Sequence, residues 1–299
     1  MSLSLADLKK SRSLDFGNIT KALTKTTEGG YSKDEDEYYK PTRDKAGNGS
    51  AVIRFLNTAP GDELPWIQMY SHAFQGPTGR WYIENCLSTI GQDDPVNVAN
   101  KALWATGNEK DKEIVRKQKR KLQYIANILV ISDPGNRDNE GKVFKFKFGK
   151  KIWEKILEKL EPTFAEDKPL NVFDYWEGAN FKLRIRQVEG YPNYDQSMFD
   201  GPSAVAATDE EILEIANSQK PLRELIDPKN FKSYEELEKK FKSVMQAGPS
   251  ETAGDAPPAR EARQAPVKEA PQPKAKAAPV AASNDDEEGI ENYFKSIAD

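Results

Sequence analysis

Cations and aromatic rings recur together along this chain, a combination that suits binding to phosphates and to flat ring systems. The densest group is the run from Arg116 to Lys121, which is followed by Tyr124. Lys and Arg neutralise phosphates, and an aromatic face that stacks on an unpaired base contributes about 1–3 kcal/mol. The run predicts one wall of a groove for a single nucleic-acid strand, and a merely solvated charge run is the alternative interpretation.

Two predicted strands carry basic stripes. Cations and apolar residues alternate along them, and successive side chains of a strand point to opposite faces. The cations are Lys145 and Lys147 on one strand and Lys182, Arg184 and Arg186 on the other. Phe146 shares the apolar face with Phe144 and Phe148, so either this ring or the neighbouring lysines line the groove. The pattern leaves both alternatives open.

The candidate binding residues follow from this inventory. We predict that phosphates are contacted by Arg54, Arg116, Lys117, Lys119, Arg120, Lys121, Lys145, Lys147, Lys182, Arg184 and Arg186. The predicted stacking rings are Trp104, Tyr124, Phe146 and Tyr194. For any single ring, packing in the core is the competing interpretation.

Enzymatic function is disfavoured because the necessary residues are missing or scarce. The chain has one His and one Cys, and it has no Gly-rich phosphate loop, Gly-x-Ser-x-Gly motif or dinucleotide-binding fingerprint. A magnesium-dependent nuclease is the remaining enzymatic alternative, but the carboxylates cluster at 34–37 and near the C-terminus, as solvated runs do. We therefore expect neither catalytic activity nor a cofactor.

The net charge conceals a contrast between regions. A formal charge of −4 argues against nucleic-acid binding. However, screening at physiological salt limits the reach of each charge to about 8 Å, so the local potential decides whether nucleic acid binds. The acidic C-terminus contains Asp285, Asp286, Glu287 and Glu288, followed by Ile290, Tyr293 and Phe294. We predict that this tail binds partner proteins and competes with nucleic acid for the basic side chains.

Composition divides the chain into four parts. We predict an N-terminal arm over 1–30, a folded core over 31–246, a disordered Pro- and Ala-rich linker over 247–284 and the acidic tail over 285–299. Apolar periodicity predicts strands at 51–56, 66–70, 80–84, 142–148 and 181–186, and helices at 151–161 and 233–244. The fold class is therefore α+β, with a mainly β core, decorating helices and disordered ends.

The cysteine count, the N-terminal pattern and the length of the apolar runs predict the cellular setting. A single Cys excludes an intramolecular disulfide, the N-terminus lacks a secretory pattern, and no apolar run approaches the roughly 20 residues that cross a bilayer. We expect a protein of the cytoplasm with no membrane partner.

Several blocks resemble the single-stranded DNA-binding proteins of T-even-type bacteriophages in order and spacing. These blocks are Gly47–Leu56, Arg80–Cys86, Tyr124–Val130, Glu140–Trp153, Trp176–Phe181 and Asn193–Asp195. The resemblance implies an oligonucleotide/oligosaccharide-binding (OB) fold with a basic groove and stacking rings. Tyr124, Phe146 and Tyr194 keep the family's aromatic character, whereas Val115 and Ile125 stand where the best-known member has rings, with Trp104 as a compensating ring.

The resemblance also assigns roles to both ends of the chain. It implies an arm that mediates contacts between copies along the strand, here through Lys9, Lys10, Ser11, Arg12 and Ser13. These residues match the family motif in composition but lie several residues further from the start. It further implies that the acidic tail binds phage replication and recombination proteins in the cytoplasm of an infected bacterium.

The family's structural zinc site is altered in this chain. His72 and Cys86 stand at two of its four ligand positions, but Asp94 and Asn97 replace a Cys-x-x-Cys pair. A closed zinc site requires four good N or S ligands, so zinc is disfavoured and His72 and Cys86 are interpreted as remnants. Packing by Ile90, Val96 and Trp104 is expected to replace the metal.

Together these observations predict a protein that binds single-stranded DNA cooperatively and without sequence preference. It would coat and protect strands during phage DNA replication, recombination and repair, and it would destabilise duplexes by preferring the single strand. The alternative is a replication adaptor whose main task is to recruit partners through the acidic tail.

Overall fold

The computed structural model describes residues 37–164 and 166–246, together with Leu5. The described residues form two compact units. Among the described residues, unit 1 contains 37–71, 85–92, 121–164 and 166–233, and unit 2 contains 72–84, 93–120 and 234–246. The predicted arm, linker and tail lie outside the described residues, apart from Leu5, so their boundaries remain predictions.

Eight strands and five α-helices are present in the described part of the chain. The strands are β1 (Gly49–Phe55), β2 (Trp66–Gln75), β3 (Trp81–Asn85), β4 (Lys121–Ser132), β5 (Val143–Phe148), β6 (Ala179–Val188), β7 (Tyr191–Asn193) and β8 (Met198–Pro202). The helices are α1 (Pro95–Ala105), α2 (Glu109–Gln118), α3 (Lys150–Leu160), α4 (Asp209–Asn217) and α5 (Tyr234–Met245). Short 3₁₀ turns occur at Leu87–Ile90, Arg137–Asn139, Arg223–Ile226 and Pro228–Asn230.

The antiparallel sheet of unit 1 is centred on β4. One edge of β4 pairs with β2 over 121–126 and then with β1 over 128–132, while the other edge pairs with β5. The β1 register shifts between Val52 and Ile53, and such irregularities bend a strand. The second edge of β1 pairs with β6, which also pairs with β7 and β8.

Aromatic side chains fill the core of unit 1. Tyr124 stacks on Trp153 of α3, with ring centroids 4.3 Å apart, and on Phe148, with centroids 5.7 Å apart. Phe55 contacts Phe148 and Phe181 edge-on or tilted. Such pairs contribute about 0.5–1.5 kcal/mol each beyond the area that they bury. They attach α3 to the sheet.

Unit 2 has a separate core between a hairpin and two helices. Phe74 of β2 and Tyr82 of β3 stack with centroids 5.1 Å apart, and Val96 of α1 and Val244 of α5 pack against them. A side chain at Gly76 would meet the Val244 carbonyl oxygen at 2.1 Å, so only glycine permits this approach of α5 to the hairpin.

The predicted α+β class and its main elements are confirmed. The five predicted strands and both predicted helices are present, although β2 is longer than the sequence pattern indicated and β4 is not among the predicted strands. Antiparallel pairing with β2 makes the basic residue Lys121 the first residue of β4. None of the described helices is long and apolar enough to cross a membrane.

Candidate nucleic-acid interface

The outer face of β6 forms a row of cations in unit 1. Phe181, Leu183 and Ile185 point into the core, so the intervening Lys182, Arg184 and Arg186 point outward. Arg184 and Arg186 are exposed, and no described carboxylate forms an ion pair with either. Lys182 is held by Asp200, with 2.5 Å between Nζ and Oδ1. The two arginines are therefore the cations that this face offers to a phosphate.

An exposed tyrosine on the same face was missed by the sequence analysis. Tyr191 is 77% exposed and pairs with Val188 across the β6–β7 hairpin, two pairs beyond Arg186 and therefore on the same face. The two linking residues, Glu189 and Gly190, have φ of 51° and 84°, as a two-residue hairpin turn requires. The Glu-Gly pair was the signal that could have located this hairpin and its ring.

The set defined by Arg184, Arg186, Val188, Tyr191 and the neighbouring Met198 is called the β6 face. Met198 pairs with Lys182 from β8 and is 52% exposed. Cations, an aromatic ring and apolar side chains thus share one open surface, which is the composition that binds a single strand without reading its bases.

Tyr194, the predicted stacking ring nearest in sequence to the β6 face, is less exposed than Tyr191. Tyr194 follows β7 and is half-buried against the core of unit 1. The next residue, Asp195, accepts a 2.7 Å hydrogen bond from Lys151, and this bond lowers the pKa of Asp195. Arg186 also acts electrostatically on Asp195. Lys151, which was not among the predicted cations, is therefore already paired.

The two open alternatives for β5 are resolved in favour of buried rings. Phe146 and Phe148 lie in the core, and the lysines point to the opposite face. There Glu37 pairs with Lys145, with 2.5 Å between Oε2 and Nζ, and the Tyr38 ring lies 4.1 Å from the Lys147 ammonium.

Glu37 and Tyr38 cover the two lysines. Lys145 is 5% exposed, and burial lowers the pKa of Lys147 to about 8. The sequence prediction placed both cations in the groove, but covered ammonium groups cannot contact phosphate unless residues 37 and 38 move. We leave Lys145 and Lys147 out of the candidate interface.

Arg54 is an interior residue. Its side chain is fully buried, Nη2 donates to the carbonyl oxygens of Asp174 and Ser203 at 2.8 Å each, and Nη1 lies 3.3 Å from Asn180 Oδ1. Burial lowers the pKa of Arg54 to about 10, with the Asp174 charge acting in the opposite direction. The group remains protonated at pH 7. Its predicted role as a groove cation is corrected to that of a structural cross-link.

Two predicted stacking rings also belong to the core. Tyr124 is 5% exposed and Phe146 is 3% exposed, and their neighbours are aromatic residues of unit 1. Burial raises the pKa of the Tyr124 hydroxyl. Neither ring presents a face to a base as the structure stands, so core packing, the competing interpretation for each ring, applies here.

The basic run of unit 2 lies at the end of α2. Asn108 caps the helix through its side chain, and Arg116 and Lys117 lie in its last turn, where cations complement the helix dipole. Arg116 is paired with Glu109, with 2.5 Å between Nη1 and Oε1. Lys117 is exposed, and the remaining members are Lys119 and Arg120, which are half-buried, and Lys121, which is exposed at the start of β4 in unit 1.

Trp104 accompanies this run from α1. The ring is half-buried, and the Lys112 ammonium lies 5.3 Å from its centroid. Trp104 and Lys112 thus give unit 2 a second contact of ring and cation.

The side chains at the family's zinc-ligand positions make contacts within the protein. In unit 2, His72 Nδ1 lies 2.8 Å from the Gln118 carbonyl oxygen, and Nε2 lies 3.3 Å from Asp94 Oδ1. Asp94 also accepts from the backbone N–H groups of Val96 and Asn97 as the N-cap of α1. In unit 1, Cys86 Sγ lies 3.0 Å from Ser88 Oγ.

The sequence lacks the full ligand set of a closed structural zinc site, because Asp94 and Asn97 stand where two Cys would be, so zinc stays disfavoured. The carboxylate of Asp94 already serves two N–H groups and the imidazole, and the thiol pair that zinc prefers is missing from the sequence. Of the residues expected to replace the metal, Val96 is fully buried, whereas Ile90 and Trp104 are half-buried. The His72–Asp94 contact is a staple that the sequence analysis did not predict.

Removal of this staple is expected to destabilise the protein. Asp94→Ala deletes a helix cap, which costs about 0.5–2 kcal/mol, and removes the carboxylate that lies beside the buried His72. We expect urea unfolding, followed by tryptophan fluorescence, to show a lower midpoint. The exposed neighbour Asp93 provides the control, since Asp93→Ala should stay within about 0.5 kcal/mol of the parent. Equal effects of the two variants would contradict the assignment.

The predicted cooperativity and tail residues lie outside the described residues. This applies to Lys9, Lys10, Ser11, Arg12 and Ser13 of the arm and to Asp285, Asp286, Glu287, Glu288, Ile290, Tyr293 and Phe294 of the tail.

Comparison with known proteins supplies independent information. A family described as "gp32 DNA binding protein like" matches residues 47–245. A protein of Enterobacteria phage T2 named "Single-stranded DNA-binding protein" is 43% identical over 224 residues, which cover 73% of this chain and 72% of that protein. A protein of the same name from Enterobacteria phage T4 is 42% identical over 223 residues, or 72% of each chain.

Proposed function

The chain belongs to the gp32 DNA binding protein like family, and from this premise we propose that it binds single-stranded DNA. The observation that carries the proposal is the β6 face, where two open arginines share a surface with an exposed tyrosine. The relatives named for this activity match 73% and 72% of the chain, and the family match over 47–245 includes residues of both units.

The β6 face supports binding without sequence preference. Guanidinium groups attract the phosphates that every nucleotide carries, and a tyrosine face stacks on any base. Binding of this kind coats and protects exposed strands during phage DNA replication, recombination and repair. It also destabilises duplexes without ATP, because a ligand that favours the single strand shifts the equilibrium towards it.

An OB fold in unit 1 is part of this proposal. It is supported by the way in which β1 and β2 follow one another along a single edge of β4, while β1 joins β4 to β6. A five-stranded, partly open barrel of the OB type needs a strand that is shared in this way, and such barrels commonly bind oligonucleotides.

We propose that the protein is not an enzyme and needs no metal. The only His and the only Cys of the chain are both buried, so neither is placed to reach a substrate. We also propose that the arm contacts neighbouring copies through Lys9, Lys10, Ser11, Arg12 and Ser13, and that the acidic tail binds replication and recombination proteins. The setting is the cytoplasm of the infected bacterial host.

Titration with nucleic acids tests the main proposal. We expect oligo-dT to quench tryptophan fluorescence at concentrations at least about tenfold below those needed with duplex DNA, and the affinity to fall as salt rises, since counterions are released from the strand. Cleavage of the DNA on addition of magnesium would instead support a nuclease. Equal affinity for both DNA forms, or affinity that salt does not change, would overturn the proposal.

A further inference from the structure

The last strand of the unit 2 hairpin lies at an open edge of the sheet. Trp81 and Ile83 of β3 are 39% and 43% exposed, whereas Tyr82 between them is buried against Phe74. Among the described strands, β3 comes at the end of the sheet order and has β2 as its single neighbour. Exposed apolar side chains on an edge strand are a feature that proteins normally cover or replace with charges.

The outward backbone groups of this edge belong to Trp81 and Ile83. Just before β3, the Arg80 carbonyl oxygen accepts from the Gly76 N–H, and just after it, the Cys86 N–H donates to β2. The even-numbered residues therefore bond towards β2. Because successive residues of an antiparallel strand direct their N–H and C=O groups to opposite sides, those of Trp81 and Ile83 point away from β2 and are placed to pair with another strand.

The sequence of β3 is complementary to itself when two copies run antiparallel. With a two-fold axis at Tyr82, Trp81 of one copy lies opposite Ile83 of the second copy, so the outward backbone groups of the two residues pair. In the same register Arg80 lies opposite Glu84. Pairs of an aromatic with a β-branched residue, and pairs of opposite charges, stabilise antiparallel strands. The two-fold axis repeats each pair, so the strand matches a second copy of itself.

The charged ends of β3 also contact α5. Arg80 donates to the Ser243 carbonyl oxygen at 3.3 Å, and Lys240 Nζ lies 2.6 Å from the Glu84 carboxylate. The helix thus packs on the core face of β3 and leaves the opposite face open. A guanidinium has five N–H donors and a carboxylate accepts several hydrogen bonds, so an ion pair between copies adds to the contacts with α5.

The size of the edge limits the strength of this contact. Stable interfaces between separate proteins bury about 1,200–2,000 Å² in total, and two strands of five residues each supply less. The pair should therefore be weak and reversible in the absence of DNA. Copies that lie side by side on DNA, as the proposed function requires, present many such edges together, and multivalent contact strengthens a weak interaction.

We propose that β3 is a docking edge for β3 of a second copy, antiparallel and with Tyr82 at the two-fold axis. A two-fold contact closes after two copies and cannot continue along a strand, so it joins copies that lie on separate segments of DNA. This consequence rests on the proposed function. The pairing itself does not depend on DNA, and it can be tested with the DNA-free protein.

Disulfide trapping between two variants of the full chain tests the register. Trp81→Cys and Ile83→Cys place their thiols directly opposite each other in the proposed pair, whereas two copies of one variant place them on the diagonal, about 7–8 Å apart. In an oxidised mixture, the mixed dimer should exceed either like-variant dimer by about tenfold, because a disulfide requires Cβ atoms about 4 Å apart. The native Cys86 is buried in every sample. Mixed and like-variant dimers in random proportions would overturn the proposal.

Analytical ultracentrifugation at high protein concentration provides a second measurement. The parent should form dimers, and Ile83→Lys should weaken them by about tenfold, because apolar burial is lost and the ammonium resists desolvation. Val98→Lys is the matched control, since Val98 is 48% exposed on α1 of the same unit. A monomeric parent, or equal effects of the two lysine variants, would contradict docking on β3.

Amide exchange distinguishes a second copy from an occupant within the same chain. Protection of the Trp81 and Ile83 amides should increase with protein concentration in the parent and should not increase in Ile83→Lys. Protection that is the same at every concentration would assign the edge to another segment of the same chain and would overturn the proposal.

Discussion

An Arg54→Met variant is expected to lose about 3–5 kcal/mol of unfolding free energy, because two backbone carbonyl groups lose their donor and each buried unsatisfied acceptor costs about 1–3 kcal/mol. Those carbonyls belong to Asp174 and Ser203, in the loop before β6 and in the segment after β8. The methionine fills much of the space, so the loss reports the hydrogen bonds more than a cavity. Urea unfolding of the full chain measures it.

A surface arginine provides the matched control for this experiment. Arg184→Met removes the same guanidinium from an exposed position in the same unit and should change stability by about 0.5 kcal/mol or less. Under conditions where both variants are folded, Arg54→Met should keep the parent's salt dependence of DNA binding. A stability loss no larger than that of Arg184→Met would contradict the role of Arg54 as a cross-link. A shallower salt dependence in Arg54→Met would show that Arg54 contacts phosphate.

The elements of the fold were largely predictable because local pattern and tertiary role agree. Alternation at 142–148 and 181–186 predicted β5 and β6, and the apolar stripe that ends before Pro162 predicted α3. The start of β4 at Lys121 was not predictable, because this basic stretch has no apolar alternation. It forms a strand because Lys121 and Leu122 pair with Ser71 and Tyr70 of β2.

The binding residues were less predictable because residue type does not reveal exposure. Lys147 and Arg184 both alternate with apolar residues, yet the first is covered by Tyr38 and the second is open to solvent. The covering residue comes from a segment far away in sequence, so no pattern around 147 signals it. Tyr191 was missed for the opposite reason, since its exposure depends on a two-residue turn rather than on apolar periodicity.

The contributions of charge and stacking on the β6 face should separate in their response to salt. Replacing both Arg184 and Arg186 with Gln removes two phosphate contacts, so the slope of log affinity against log salt should become shallower by about 1.4, at about 0.7 per contact for single strands. At physiological salt this corresponds to roughly tenfold to twentyfold weaker binding of oligo-dT.

The tyrosine of the same face should act differently. Tyr191→Ala removes a stacking ring and should weaken binding by about 1–3 kcal/mol with the salt slope unchanged, because no phosphate contact is lost. A double change of Arg137 and Arg223 to Gln alters the net charge equally at exposed positions outside the β6 face and should leave affinity and slope near those of the parent. If this control matched the Arg184/Arg186 variant, net charge rather than the β6 face would account for binding. If Tyr191→Ala changed only the slope, the ring would not be a stacking platform.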